Sequence, residues 1–299
     1  MYGIINLFKE KGITSFKQIN MLKGIFPDVK IGHTGTLDPI ADGVLIVCIG
    51  KATRLADYIQ AQKKIYKAEM ILGLSTDSYD ITGKVLNCVA SDNITDQEIE
   101  IAINSFIGKQ SQRPPIFSAK KVNGMKLYEY AMKEKPVELR ESYIEIIYIT
   151  SIQIDNTSYN GIPMKKLSFE VECSKGTYIR SLCHDIGEQL KKGGTMSALT
   201  RMKVWNFKIA DSYTISEIIK LKSEGIIENI FIPIENAINL PFIRLNSQDK
   251  RKYINGVKFE SRIYAGDYII KDMNDEVIGI GSVDENCILK GKVMLNEDY

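Results

Sequence analysis

The sequence predicts an α+β fold followed by a small β-rich domain. Helix-like and strand-like segments come in mixed order over most of the chain, without the regular strand–helix–strand repeat of α/β proteins. The continuous apolar run at 44–49 is typical of a strand buried on both faces. Around 233–241 the pattern changes, and from about 245 it shows one short helix and brief strand-like runs at 268–271, 277–280 and 293–295. We therefore expect domains at 1–240 and 245–299.

Each element of the main domain has a local signal. Capping boxes, with a threonine three positions before a glutamate, open helices at Thr95 and Thr214. Thr14 and Ser15 are the expected cap of an earlier helix that runs to Lys23. The predicted strands are 3–7, 44–49, 65–72, 142–154 and 165–173, and the predicted helices are 15–23, 51–60, 95–107, 178–191 and one that follows 214.

The composition indicates a globular protein of a reducing compartment. Hydrophobic residues make up 44% of the chain and charged residues 25%, an ordinary mixture. The five cysteines show no C-x-x-C spacing and are odd in number, which argues against a disulfide framework or a zinc ribbon. The start lacks the long apolar stretch of a signal peptide, and no apolar run approaches the roughly 20 residues that span a bilayer. We expect a soluble cytoplasmic protein without a membrane segment.

Asp38 lies in the densest candidate segment, GHTGTLDPIADG at 32–43. Pro39 keeps Asp38 out of the helical region, so the loop can present a carboxylate just before a buried strand. The alternative is an Asx-type turn in which Asp38 only satisfies backbone donors. A pairing with Asp42 for glycoside cleavage is disfavoured because both residues share one tight loop.

A second candidate segment, CSKGTYIRSLCHD at 173–185, places Lys175, Tyr178 and Arg180 where a strand ends and a helix begins. Helix N-termini favour anions, and an arginine can hold a carboxylate through two hydrogen bonds. The alternative is a solvated turn with a structural ion pair.

The segment 109–135 is strongly basic. It carries seven basic residues against two acidic ones, a local net charge of +5 in a chain whose net charge is +2. Phe117, Tyr128 and Tyr130 are interleaved with these charges. Basic charge with aromatic rings suits phosphate contact and base stacking, although a solvated loop and helix face has the same composition.

Motifs that hold a metal or a cofactor are missing from the sequence. Its only histidines, His33 and His184, cannot form a His-rich metal site, and no P-loop, G-x-S-x-G or G-x-G-x-x-G element occurs. The residues by themselves therefore give no sign of a metal or cofactor site.

Together and in order, these segments resemble the bacterial TruB family, the tRNA pseudouridine synthases that modify the T arm. The resemblance covers nearly the full chain and rests on KEKGITS at 9–15, GHTGTLDP at 32–39, KIY at 64–66, TDSYDITG at 76–83, SKGTYIR at 174–180 and LTR at 199–201. Two residues depart from the family pattern. Glu10 replaces a proline and Asp42 a small or hydroxyl residue, and neither position is assigned to chemistry.

The resemblance implies the pseudouridine synthase fold, with a mixed, mainly antiparallel central sheet, flanking helices and a PUA-like RNA-binding domain at 245–299. Asp38 is then the catalytic nucleophile, and 109–135 is an insertion that clamps RNA. The implied substrate-binding residues are His33, which holds the RNA open, Tyr66, which packs on the uracil, Tyr178, which lines the pocket, Arg180, which pairs with Asp38, and Leu199. The expected activity is isomerisation of uridine 55 in the T loop of tRNA by a monomer, without guide RNA.

The expected reaction suits a carboxylate. Uracil leaves C1′ of the ribose, rotates and rejoins through C5. The same atoms remain, so no redox cofactor, metal or nucleotide is needed. An ionised Asp38 can attack C1′ or remove a sugar proton. Because a free aspartate titrates at about 3.9, we expect Asp38 to be ionised at neutral pH and Arg180 mainly to orient it.

Three other functions stay open at this point. The chain could be a tRNA-binding or tRNA-folding factor to which Asp38 is incidental. It could be a guide-RNA-dependent synthase of the dyskerin type, although such proteins lack a basic insertion comparable to 113–135. It could also be a nucleoside hydrolase, which would release free uracil.

Overall fold

A computed structural model describes residues 3–295; residues 1–2 and 296–299, at the outer ends of the two predicted domains, lie outside it. The strands are β1 (Gly3–Lys9), β2 (Ile31–His33), β3 (Asp42–Ile49), β4 (Lys64–Leu72), β5 (Leu74–Thr76), β6 (Val85–Cys88), β7 (Gly108–Gln112), β8 (Lys121–Val122), β9 (Met125–Lys126), β10 (Ser142–Tyr159), β11 (Ile162–Cys173), β12 (Gly194–Val204), β13 (Phe207–Lys208), β14 (Phe242–Arg244), β15 (Phe259–Glu260), β16 (Gly266–Lys271), β17 (Val277–Val283) and β18 (Ile288–Met294).

The helices lie between and beside these strands. They are α1 (Ser15–Ile25), α2 (Ala56–Gln60), α3 (Asp96–Asn104), α4 (Leu127–Met132), α5 (Ile179–Gln189), α6 (Ile215–Ser223), α7 (Ile234–Ala237) and α8 (Ser247–Ile254), with 3₁₀ turns at Gly50–Leu55, Ile209–Asp211 and Ile227–Ile230. Within 3–295, none of the helices has the length and apolar character needed to cross a membrane.

A nine-stranded sheet forms the main body and brings the candidate segments together. Its order is β1-β3-β12-β4-β11-β10-β7, with β2 paired to β3 and β13 paired to β12. The neighbouring strands are antiparallel except β3 and β12, which are parallel. The prediction of a mixed, mainly antiparallel central sheet is therefore confirmed.

Strand β3 shows why the apolar run at 44–49 is continuous. Val44 and Ile46 pack in one apolar cluster, which also contains Ile280 of the C-terminal sheet. Leu45 and Val47 pack in another cluster on the opposite face, beside α1. Because both faces of the strand are covered, alternation of polar and apolar residues is absent.

The C-terminal part folds as a five-stranded sheet in the order β14-β16-β17-β18-β15. Helix α8 packs on it through the buried Tyr253, whose hydroxyl lies 2.7 Å from the carbonyl oxygen of Val293 and 3.0 Å from that of Ile280. The predicted β-rich character of this end is confirmed. Its PUA-type identity and its boundary at 245 stay predictions.

The secondary structure differs from the predicted pattern at several places, and the largest difference is β12, an 11-residue strand of the central sheet that is missing from the predicted strands. The helix expected at 51–60 is half 3₁₀ turn and half α2, and α3 ends at Asn104 rather than near 107. Strands β10 and β11 are longer than predicted because they form one hairpin. Its tip is Asn160-Gly161, with φ of 48° and 79°, the left-handed conformation that a tight hairpin turn needs. The residues nearest the tip are largely polar, so the apolar pattern that predicts the two strands ends before the strands do.

The basic segment 109–135 contains local structure of its own, with β7 at its start and then the β8–β9 hairpin and α4. Its lysines are not all free surface charges. The Lys120 ammonium donates to Ser142 Oγ at 2.7 Å, and the Lys126 ammonium lies 5.4 Å from the centre of the Tyr128 ring. The exposed lysines of the hairpin and of the end of α4 are Lys121, Lys133 and Lys135.

Candidate active site

The loop that carries Asp38 connects β2 to β3 and is fixed from beneath by a buried lysine. The side chain of Lys9 is 0% exposed. Its ammonium donates to the carbonyl oxygens of Asp38 at 3.0 Å, Pro39 at 3.3 Å and Ala41 at 2.6 Å. Burial lowers the pKa of Lys9 to about 8, while the nearby Asp38 and Asp42 carboxylates oppose that shift. The ammonium thus supplies a buried donor to three carbonyls of the loop.

The end of this loop requires a glycine. Gly43 has φ +102°, and a Cβ atom there would lie 2.4 Å from the carbonyl oxygen of Arg201. Any larger residue would push β3 away from β12, to which it is paired in parallel at this point. The glycine therefore keeps the Asp38 loop close to β12.

Arg180 meets Asp38 as a two-pronged fork. The side chain of Arg180 is 5% exposed and that of Asp38 is 33% exposed. Nε of Arg180 lies 2.9 Å from Oδ2 of Asp38, and Nη2 donates to Oδ1 at 3.1 Å. This paired contact is the geometry in which an arginine orients a carboxylate most firmly.

A second carboxylate, Asp80, holds the other side of Arg180. Oδ2 of Asp80 accepts from Nη1 of Arg180 at 3.4 Å, and Oδ1 accepts from the amide and the hydroxyl of Thr82. Two main-chain carbonyls, of Ser78 at 3.0 Å and Phe117 at 2.9 Å, complete the partners of the guanidinium. Asp80 is not among the site residues predicted from the sequence. The only sequence signal for it is the TDSYDITG segment of the family resemblance, which by itself resembles an ordinary polar turn.

The surroundings of Asp38 make it a harder acid to ionise than an exposed aspartate. Burial raises the pKa of Asp38 above its ordinary value, the Asp80 carboxylate adds to the rise, and Arg180 and Lys9 oppose it. The role of Arg180 in orienting Asp38 stays a prediction, and its charge adds a second effect. Arg180 also favours the ionised form of the Asp38 carboxylate, which burial disfavours.

This shift leads to a pH prediction. If Asp38 reacts as a carboxylate, the single-turnover rate falls as the pH drops through the pKa of Asp38. Because that pKa is raised, we expect the loss to begin at a higher pH than for an aspartate with the ordinary value of 3.8. The measurement is the rate at saturating enzyme across acidic pH, with tRNA binding followed in parallel. A rate that stays level down to the ordinary carboxyl range would contradict the prediction.

Two of the predicted site residues line an open cleft, and the others do not. That cleft has a volume of about 380 Å³, and of the six predicted site residues Asp38 and Arg180 line it. The further lining residues are Pro39, Ile40, Asp77, Ser78, Asp80, Thr82, Gly83, Lys84 and Phe117. Four predicted residues are absent from this lining, namely His33, Tyr66, Tyr178 and Leu199.

Tyr66 and Leu199 lie on adjacent strands, β4 and β12, in the apolar cluster beneath the Asp38 loop. Tyr178 precedes the first turn of α5, and its main chain is held by Gln112, whose side-chain amide donates to the Tyr178 carbonyl at 3.0 Å and accepts from its amide at 2.8 Å. His33 is the last residue of β2. Burial and then the nearby Arg201 cation lower the pKa of His33, so its imidazole is neutral at neutral pH.

Arg201 is a second functional candidate that does not appear among the predicted site residues. Its side chain is 1% exposed. Nε donates to the carbonyl of Val44 at 2.6 Å, and Nη2 donates to that of Gly35 at 3.1 Å. Arg201 thereby ties β12 to both ends of the loop that carries Asp38.

The basic segment is attached directly to this site. Besides the bond from Arg180 to the Phe117 carbonyl, Ser181 Oγ donates to the carbonyl of Arg113 at 2.8 Å. These contacts hold the start of 109–135 against the first turn of α5. Positive charge that is suited to RNA phosphates therefore begins at the edge of the Asp38 cleft.

Comparison with known proteins places this geometry in a family. Residues 23–179 match the family model of the TruB family pseudouridylate synthase N-terminal domain, and residues 180–239 match that of the tRNA pseudouridylate synthase B C-terminal domain. The chain is 39% identical to "tRNA pseudouridine synthase B" of Clostridium perfringens strain 13, with 99% of this chain and 100% of the relative covered. It is 41% identical to the protein of the same name from Clostridium acetobutylicum, with 95% and 96% covered.

Solved structures share the fold. A chain of an H/ACA RNP bound to a substrate RNA containing 2′-deoxyuridine aligns with a TM-score of 0.70 at 23% identity, covering 99% of this chain and 85% of that one. A chain of a Cbf5-Nop10-Gar1 complex aligns with a TM-score of 0.68 at 25% identity, covering 99% and 84%. From the family models, the full-length relatives and the shared fold, we conclude that this chain belongs to the TruB family of pseudouridylate synthases.

Proposed function

We propose that this chain isomerises uridine 55 in the T loop of tRNA to pseudouridine, without guide RNA, and that Asp38 is the nucleophile. The observation that carries the proposal is the fork between Arg180 and Asp38 at the base of an open cleft. The full-length relatives named tRNA pseudouridine synthase B support tRNA as the substrate. The basic segment beside the cleft supports direct contact with tRNA phosphates.

The proposed reaction begins with a flipped-out uridine, because a stacked base cannot reach a carboxylate at the bottom of a cleft. Taking the base out of its stack costs about a few kcal/mol. An oxygen of Asp38 then bonds to C1′ as the bond from C1′ to N1 of uracil breaks and uracil leaves with the electron pair. The uracil rotates, C5 attacks C1′, and the Asp38 carboxylate is released. Loss of the C5 proton and protonation of N1 complete the isomerisation.

Each group in the site has a part in this sequence. The positive charge that develops on the sugar is stabilised by the adjacent carboxylate, whose direction is set by the Arg180 fork. Tyr66 is the candidate for packing on the uracil and for taking part in removal of the C5 proton. Burial raises its pKa, so its hydroxyl is neutral before reaction and can take up that proton only while passing on its own, with N1 of the uracil as the final acceptor. His33, Tyr178 and Leu199 are proposed contacts of the RNA strand and the base.

Product analysis tests this function against its rivals. Purified protein is incubated with an unmodified tRNA transcript and no other RNA, and the nucleosides and free bases are separated. We expect pseudouridine and no free uracil. Free uracil would indicate a hydrolase, and pseudouridine that forms only after a second RNA is added would indicate a guide-dependent enzyme. Bound but unchanged tRNA would indicate a binding or folding factor.

A salt titration tests whether the basic segment clamps tRNA. Replacing Lys121, Lys133 and Lys135 with alanine is expected to weaken binding and to reduce its dependence on salt, by about 0.7 to 0.9 in the logarithmic slope for each lost phosphate contact. Lys120 and Lys126 are left intact, because their ammonium groups have protein partners. Thermal stability should change little, since exposed charges contribute little to folding.

The matched control removes the same charge elsewhere. Lys30, Lys208 and Lys220 are also exposed and lie outside the segment 109–135, so their replacement should leave the salt slope near that of the parent. If both triple variants gave the parental slope, the lysines of the basic segment would be a solvated face and the tRNA phosphates would be bound elsewhere.

A further inference from the structure

Two rings join helix α5 to the loop at 76–84. The centres of the Tyr79 and His184 rings are 3.9 Å apart, and their planes are inclined by 8°, which is face-to-face contact. Burial lowers the pKa of His184, against a weaker opposing effect of Glu188. The imidazole is therefore neutral at neutral pH and offers a flat, uncharged face to the phenol.

The residues on either side of Tyr79 are the loop partners of Arg180. The carbonyl of Ser78 accepts from Nη1 of Arg180 at 3.0 Å, and the Asp80 carboxylate accepts from the same nitrogen at 3.4 Å. Three consecutive loop residues thus meet one helix, with the middle one held by the ring stack and the outer two held by the arginine.

The spacing on α5 matches this arrangement. Arg180 and His184 are four residues apart on a helix, and residues at this spacing lie on the same face. One face of α5 therefore presents a guanidinium and an imidazole to the same short loop. The ring contact at His184 and the bonds of Arg180 therefore act on neighbouring residues of one loop.

The backbone conformation of Tyr79 also indicates that this loop is held in place by its surroundings. Tyr79 has φ +63°, a left-handed conformation that bulky residues adopt only when their surroundings hold them. The main chain of the loop is bonded to β12, with the Met196 amide donating to the Tyr79 carbonyl at 3.0 Å and the Ile81 amide donating to the Met196 carbonyl at 2.9 Å. Those bonds fix the loop to the sheet, whereas the ring stack fixes it to α5.

We propose that His184 and Tyr79 form a positioning pair, which holds Ser78 and Asp80 against Arg180 and so sets the angle of the fork on Asp38. Neither Tyr79 nor His184 lines the cleft itself, so the effect of the pair on the reaction passes through Ser78, Asp80 and Arg180. This inference rests on the proposed function, since it concerns the rate of pseudouridine formation.

The test compares variants that remove a ring with variants that keep it. His184→Leu fills space but cannot stack as a flat ring, whereas His184→Phe keeps a flat ring. Tyr79→Asn removes the ring and tolerates the left-handed backbone, whereas Tyr79→Phe keeps the ring. We expect the two ring-removing variants to lower kcat by about tenfold to a hundredfold, the range that small misplacements of catalytic groups can cause, with the KM for tRNA unchanged. Both ring-keeping variants should retain most of the parental kcat.

A double variant and a control complete the design. His184→Leu combined with Tyr79→Asn should be no slower than the slower single variant, because residues that act through one contact are not additive. Gln189→Ala, which removes an exposed hydrogen bond from the same helix to Ser105, should keep the parental kcat. The two ring-removing variants are independent, so the test does not depend on one of them folding.

The outcomes separate this inference from the proposed function. The ring-removing variants could fold, keep the parental kcat and show only a lower melting temperature. That result would mean that the stack merely stabilises the fold, and it would overturn the positioning role. If the kcat losses of the two single variants multiplied in the double variant, Tyr79 and His184 would act independently, and the proposal that they work as a pair would be overturned. A parent protein that forms no pseudouridine would overturn the proposed function, and the reaction that the pair serves would fall with it.

Discussion

Replacing Asp38 with asparagine is expected to abolish pseudouridine formation while leaving tRNA binding close to that of the parent. Asparagine keeps the shape of the side chain, so the loop held by Lys9 should keep its course. It removes the negative charge and the nucleophilic oxygen, and losses of roughly 10⁴-fold or more follow removal of such a residue in other covalent mechanisms. The measurement is the single-turnover rate at saturating enzyme, together with a tRNA binding titration.

Asp42 provides a matched control for this variant. It lies in the same segment and carries the same functional group, but it is not placed in the fork with Arg180. Asp42→Asn should keep the activity of the parent, whereas Asp38→Asn should not. Substantial turnover by Asp38→Asn, or equal losses in the two variants, would contradict the assignment of the nucleophile.

Replacing Arg180 with lysine is expected to cause the next largest loss, roughly a hundredfold to a thousandfold in the single-turnover rate, the scale of a lost electrostatic contact in an active site. Lysine retains the positive charge, so a lower rate would measure the effect of losing the paired hydrogen-bond geometry rather than the charge. An ammonium is a compact charge that cannot reproduce the paired contact with both oxygens of Asp38. It would also give up some of the bonds to Asp80, Ser78 and Phe117 that lock the guanidinium in place.

Arg54→Lys is the control for the Arg180 variant, because Arg54 is exposed and donates to one main-chain carbonyl, that of Met294. It should react at the parental rate. Near-parental turnover by Arg180→Lys would show that the fork is not needed. An Arg180→Lys protein that loses tRNA binding as well would mean that Arg180 contacts the RNA rather than orienting Asp38.

Features with local causes were predictable from the sequence. The capping boxes at Thr95 and Thr214 are present with both of their hydrogen bonds, because a cap depends on four neighbouring residues. Thr14 caps α1 as expected. The buried strand at 44–49 was also predictable, since a strand covered on both faces needs a continuous apolar run.

The support of the site was not predictable, because it depends on residues far apart in the chain. Lys9 and Asp80 look like surface charges in the sequence, yet folding buries both and directs them at the Asp38 loop and at Arg180. The stack of Tyr79 on His184 has no local signal at all. Lys120 shows a similar effect, since its ammonium lies in the basic segment but donates to Ser142 Oγ at the start of β10. Charge composition predicts where basic residues are, but not which of them the protein itself has already engaged.

Position-resolved mapping of pseudouridine tests the central claim most directly. A single unmodified tRNA transcript is incubated with the purified protein alone and mapped nucleotide by nucleotide, beside a transcript in which uridine 55 is replaced by cytidine. We expect one modification, at uridine 55 of the T loop, and none in the substituted transcript or with the Asp38→Asn protein. Modification at other positions, in the substituted transcript or by the Asp38→Asn protein would contradict the claim, as would a complete absence of pseudouridine in the parental reaction.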